Sequence, residues 1–231
     1  MPRIGKDGLP PQGGSSGKFI NQIMLREDKE KSVLRFITDF DDFYYERYHR
    51  NMVGGDFKGY KVCVREALGQ PCGRCSQEEP TSLRFSGWVF EKTHYYRKYF
   101  EFKNPEKKLI KDGEIWKLDI NAPVLLEASI MHFNPIEFRH DMYGTLLNRE
   151  YSWIRVGEKD SRRPTYMLEP EAESEYPKDL LELKESLPDL EDIALGKIKS
   201  LDGEVQEAKP YSTVAVKDPF ADKASEEEPG F

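Results

Sequence analysis

The three cysteines of the chain, Cys63, Cys72 and Cys75, fall in one short stretch, and His49 stands upstream of them. Thirteen residues separate His49 from Cys63, eight separate Cys63 from Cys72, and two separate Cys72 from Cys75. Thiolates and a neutral imidazole are the ligands that Zn2+ prefers, and four of them close a tetrahedral structural site. Gly73 leaves the Cys72–Cys75 turn sterically free, and Pro71 stiffens its entry. Two other readings stand beside zinc: a redox pair at Cys72 and Cys75, or three thiols with no shared role. A redox pair sits at the start of a helix after a strand, whereas this one lies among Gly, Pro and charged residues. His94 competes with His49 for the fourth ligand position.

These residues need a scaffold, and the flanking pattern is that of a sheet. Residues 33–38 and 43–49 read as two strands joined by a turn at Asp39–Asp42. Alternation places Leu34 and Phe36 on one face of the first strand, and Phe43, Tyr45, Arg47 and His49 on one face of the second. Gly54-Gly55-Asp56 is a turn, and 57–64 is a strand leading to Cys63. A histidine at one strand end thus faces a cysteine at the next, with 49–75 a zinc loop clipped onto the sheet. Residues 84–103 read as one or two strands and 114–120 as another. Pro123 and Pro135 each suit a first helical turn, with Asn121 and Asn134 as caps, which predicts helices over 123–132 and 135–143. Strands at 150–156 and 164–168 close the body.

At 231 residues the chain can bury a sizeable core. Residues 1–17, rich in Gly, Pro and Ser, read as a mobile arm. Gly13–Lys18 is not a phosphate loop, because Gln12 and Phe19 stand where Gly and Ser or Thr are required. Residues 18–168 form the expected core, 169–201 an acidic helical segment and 202–231 a disordered acidic tail. Residues 1–168 hold 28 Lys and Arg against 24 Asp and Glu; residues 169–231 hold 7 against 18. A mildly basic body with an acidic tail can bind an anion that the tail mimics. No apolar run reaches membrane-spanning length, the N-terminus is not a secretory signal, and the odd cysteine count fits a reducing compartment, so a cytoplasmic protein is expected.

The body interleaves aromatic and basic side chains. Bases stack on exposed rings while cations track phosphates, so this combination suits single-stranded nucleic acid. The candidate contacts are Tyr44 and Tyr48 with Arg47, Tyr60 with Lys58 and Lys61, Tyr95, Tyr96 and Tyr99 with Arg97 and Lys98, and Trp116 with Lys117. Phe36, Trp88, Phe90 and Phe100 are expected in the core. No catalytic arrangement is visible, and His132, His140 and Asp141 are expected as solvated helix residues rather than a second metal site.

At this point the residues resemble a family. One His, one Cys and a CxxC pair (His49, Cys63, Cys72, Cys75), in a β-rich body of Tyr and Lys/Arg, are similar to the zinc site of the helix-destabilising single-stranded DNA-binding proteins of T-even bacteriophages. The first gap is one residue longer here and the second one shorter. The order that follows is also similar: Tyr95-Tyr96, a turn at Asn104–Glu106, a strand with Trp116, helices, a closing Tyr-rich strand and an acidic tail. The resemblance covers about residues 33–168. It implies a mainly β fold with a few helices, an OB-fold-like Greek-key barrel with a zinc-binding subdomain. It also implies single-strand binding in replication, recombination and repair, and a tail that recruits replication and recombination proteins. Self-association on DNA is implied by the family's basic arm, of which Pro2–Lys6 is a weakly basic counterpart. Glu226, Glu227, Glu228 and Phe231 resemble the acidic, aromatic-ended tails by which other single-strand binders dock partners. Two rival readings remain: a zinc-clipped docking module that never touches DNA, and a zinc enzyme, disfavoured because four protein ligands leave no position for water.

Overall fold

The computed structural model describes residues 20–101, 108–158, 161, 164–198 and 201. The N-terminal arm, the Asn104–Glu106 turn and the tail from residue 202, with Glu226, Glu227, Glu228 and Phe231, lie outside the described residues.

Eight strands form one antiparallel sheet: β1 (Lys31–Phe36), β2 (Tyr44–Val53), β3 (Asp56–Val62), β4 (Thr81–Tyr96), β5 (Ile110–Asp112), β6 (Ile115–Ser129), β7 (Arg149–Val156) and β8 (Thr165–Glu173). Among the described residues five short α-helices accompany them: α1 (Val64–Leu68), α2 (Gly73–Ser76), α3 (Asn134–Tyr143), α4 (Lys178–Ser186) and α5 (Leu190–Ala194). The sixteen-residue β4 is the spine. One of its edges pairs with β6 from Arg84 to Tyr96. The other pairs with β2 over its first residues and with β1 over its last, so two arms, β2–β3 and β1–β7–β8, leave the same strand. Among the described residues no pairing joins β8 or β3 back to β5 and β6, so the sheet is not a closed barrel.

The main core lies on one face: Leu34, Phe36, Phe43, Phe85, Val89, Val124, Leu126, Tyr151 and Trp153, under Phe133 and Ile136 of the α3 region. Gly87 serves this packing, because a Cβ there would sit 2.3 Å from the Phe43 ring. The opposite face presents Ile37, Trp88 and Leu125 to Leu183 and Ser186-flanking Leu187 on the α4 side, and to Leu190 and Ile193 of α5. The Trp88 indole donates to the Pro188 carbonyl at 3.0 Å.

The helix expected over 123–132 is instead the second half of β6. Val124 and Leu126 enter the main core while Leu125 enters the opposite cluster, so both faces of this strand are buried. A strand buried on both faces reads as a continuous apolar run and loses its alternation. Pro123 lies opposite Phe90, on a stretch whose outer edge carries, among the described residues, only the short bridge between Gln22 and Leu125; an edge tolerates the missing N–H. Asn121 caps no helix: its φ of 46° accompanies the register shift between β4 and β6. The helix expected over 135–143 is present as α3, with proline in its first turn.

Candidate metal centre and aromatic surface

His49 sits within β2, which runs on past the expected strand end to Val53; it pairs with Lys61 of β3 and Thr81 of β4 and is fully buried. Cys63 follows β3 directly, anchored by its N–H to the Arg47 carbonyl at 2.7 Å. The chain then turns through α1, which ends at Gly69 with a φ of 64°. Cys72 occupies the N-cap position of α2 and Cys75 lies within that helix. Neither helix was expected from the sequence, and α2 removes one argument against a redox pair, since Cys72 does open a helix. The geometry that weighs against a redox pair alone is the convergence of four ligands. The His49 ring nitrogen and the three sulfurs lie within 4.8 Å of one another. His49 Nε2 is 3.4 Å from Cys75 Sγ and 3.6 Å from Cys72 Sγ, and Cys63 Sγ is 3.3 Å from Cys75 Sγ. A tetrahedron with metal bonds of about 2.0–2.3 Å has edges of roughly 3.5–3.8 Å, so the four atoms are spaced to hold a metal ion. Three sulfurs and one imidazole are soft donors, unsuited to an all-oxygen ion.

The neighbourhood prepares these ligands. Burial raises the Cys72 thiol, but hydrogen bonds from the backbone of Cys75 and Arg74 and from the other thiols outweigh it and hold it below the usual range. Cys75 is pushed up to about 12 by burial and then by the thiols of Cys63 and Cys72. A divalent cation inverts this ordering, since a coordinating thiol is deprotonated outright. Arg74 ties the knuckle to β2 through the Arg50 carbonyl (2.7 Å) and Asn51 (2.9 Å), and pairs with Glu79 just after α2 (2.9 Å). Among the described residues His49 Nδ1 is buried without a hydrogen-bond partner, and Nε2 is the ring atom that meets the thiols. Tyr48, Val62 and Val64 pack around the cysteines, joined by Ala194 and Leu195 at the end of α5.

His94 is not part of this group. It lies near the other end of β4, paired with Ser32 and Leu118, with its Nδ1 on Glu91. His140 stacks on Phe40 and His132 meets Tyr166 edge-on. Among the described residues no further group of three His, Cys, Asp or Glu side chains converges.

The expected nucleic-acid contacts divide between the two ends of β4. Near the metal centre, Arg47, Tyr60 and Lys61 are exposed, and the Arg84 guanidinium lies 4.0 Å over the Tyr60 ring. Tyr48 is buried and offers no open ring face. Tyr44 is half-buried, its phenol pushed up by burial and then by Glu46 and Glu191, an acidic setting that disfavours a phosphate. Of Lys58 only the backbone, within β3, is described. At the far end, Tyr99 is 54% exposed and packs on Trp116 at 4.7 Å. Lys111 of β5 lies over Trp116 at 6.0 Å, and Lys31 of β1 lies over Tyr95 at 4.7 Å. Arg97 is exposed, Lys98 reaches Glu27 at 3.2 Å, and Tyr96 is partly covered. Sequence reasoning missed Lys31 and Lys111, because only cross-strand pairing brings them to the rings.

No protein-family model matches the chain, and no significant similarity to a curated protein or a solved structure is found. Among the described residues no helix is long and apolar enough to cross a membrane.

Proposed function

We propose that this chain binds single-stranded DNA with little sequence preference, serving replication, recombination and repair, and that the ion held by His49, Cys63, Cys72 and Cys75 is a structural zinc. The observation that carries the reading is the Tyr99–Trp116 pair, with Tyr99 exposed and Lys111 over the Trp116 ring; Tyr95 under Lys31 adds a second ring on the opposite face of the same strand end. Ring faces bind bases of any sequence and the ammonium groups bind phosphates, and the two together need no base-specific readout. Arg47, Tyr60, Lys61 and Arg84 form a second, smaller set beside the metal centre. The zinc supports that second set rather than the Tyr99–Trp116 pair, since the register puts them at opposite ends of β4.

An OB-type, partly open Greek-key barrel belongs to the same proposal; a long bulged strand shared by two strand sets is the feature that favours it. With four protein ligands the ion has no site for water, so no catalytic step is assigned to it. The acidic tail, ending in Glu226, Glu227, Glu228 and Phe231, is proposed to recruit replication and recombination proteins, on the strength of its charge and its terminal ring.

The test is fluorescence anisotropy of a labelled oligothymidine across a salt series, with metal content measured on the same sample. The expected result is about one zinc per chain and binding that prefers single over double strands and weakens steadily with salt. Zinc without DNA binding, with and without residues 202–231, would overturn the DNA reading and leave the docking module.

A further inference from the structure

Strand residues three apart ordinarily face opposite sides of a sheet. Glu91 and His94 do not, because the register of β4 shifts between Glu91 and Thr93 against β6, and β1 shifts opposite it between Val33 and Leu34. The two side chains therefore meet. Glu91 Oε1 accepts hydrogen bonds from His94 Nδ1 at 2.8 Å and from Ser32 Oγ at 2.7 Å. All three residues are at least nine-tenths buried. Such a carboxylate fixes the orientation of the imidazole ring it binds, and a bulge is a feature that re-aims side chains near functional sites.

The face of that fixed ring is covered by Tyr96, stacked at 4.3 Å with 23° between planes. Tyr96 meets Phe100 edge-on at 4.9 Å and is the register partner of Trp116, on which Tyr99 packs. His94, Tyr96 and Trp116 thus share one face of the sheet, as a group of rings closed at the buried end and open at Tyr99. We propose that His94 is a positioning residue for the base-stacking surface: clamped by Glu91 and Ser32, it sets the plane of Tyr96 and so the spacing of the rings that receive unpaired bases. This inference rests on the single-strand reading above.

The experiment compares an oligothymidine with an abasic oligonucleotide of equal length and charge, whose ratio of affinities isolates the contribution of the bases. In His94→Ala the ratio is expected to fall about tenfold, the scale of one base–ring stack, with binding of the abasic strand and its salt slope unchanged. His94→Phe retains a stacking ring and should keep most of the ratio. Glu91→Gln retains an acceptor for Nδ1 and should do the same. Should His94→Ala not fold, Ser32→Ala, which removes one support of the carboxylate, is read instead and should lower the ratio several-fold. A wild-type ratio in folded His94→Ala, or in Ser32→Ala where that variant is read instead, or a loss shared equally by both oligonucleotides, overturns the role of His94. A wild-type protein that binds both oligonucleotides alike overturns the stacking reading itself.

Discussion

The two ends of β4 are held in place by different physics. At its start, where Thr81 pairs with His49, the chain encloses four ligands within a small cluster whose buried members are Tyr48, Val62, Cys63, Val64 and Cys72. That cluster is small, and a metal ion held by the four ligands would add the free energy of its binding to the order of α1 and α2. At its end, where Tyr96 pairs with Trp116, the rings rest on the part of the β6 ladder beyond its register shift and on a buried hydrogen-bond network. One end is built around a ligand set that could hold a metal ion and the other around the sheet. A perturbation aimed at either should leave the other standing.

The sharpest way to break that independence is to remove the metal. Chelation, or Cys72→Ser, should abolish metal binding and the amide-exchange protection of residues 49–75, an effect of several kcal/mol. Protection in β1 and β7 should persist. Loss of protection across the whole sheet would show that the metal centre organises the fold rather than one end of it.

A substitution between the ends should weaken the sheet they share and leave both sites in place. Gly87→Ala drives a methyl group into the Phe43 ring and should cost about 1–3 kcal/mol, read as a lower Tm with unchanged metal content. At the far end, Trp116→Ala or Tyr99→Ala should weaken oligothymidine binding by about 1–3 kcal/mol with full metal occupancy and an unaltered Tm for the Tyr99 variant. A drop in bound metal in either ring variant would contradict the separation drawn here.

The smallest expected effect lies away from both ends. Asp39 loses solvation, but hydrogen bonds from the Leu146 and Phe40 N–H groups and the Thr145 hydroxyl hold its carboxyl below the usual value. A depressed carboxylate stabilises the fold above its unfolded value, and that stability is lost as pH falls through the folded value. Thermal stability of the metal-free protein should therefore decline on the acid side, and Asp39→Asn should flatten that decline. An identical acid profile in the variant would remove Asp39 from the account.

Much of the ligand set was legible because few residue types bind a soft metal and they recur at restricted spacings. Cys63, Cys72 and Cys75 could be read directly, and His49 was preferred over His94 because it stands just upstream of the cysteines and was expected to face Cys63 across neighbouring strands. The strands at β1, β2, β3 and β7 followed from alternation, and α3 from Pro135. The second half of β6 did not, because burial on both faces erases alternation and Pro123 then imitates a helix start. The short α1 and α2 escaped because a four- or five-residue helix has no periodic signature of its own. Lys31 and Lys111 were invisible as site residues, being remote in sequence from the rings they cover.

The sequence by itself determined the local chemistry: which side chains can ligate a metal, which can stack, and where β structure alternates. These are properties of residue type and near spacing. Only the tertiary structure decided that the metal centre and the Tyr99–Trp116 pair stand at opposite ends of one strand, and that Glu91 and His94 share a side of it. Both outcomes depend on register, and register is set by long-range pairing: one extra residue in a bulge turns a side chain from one face to the other.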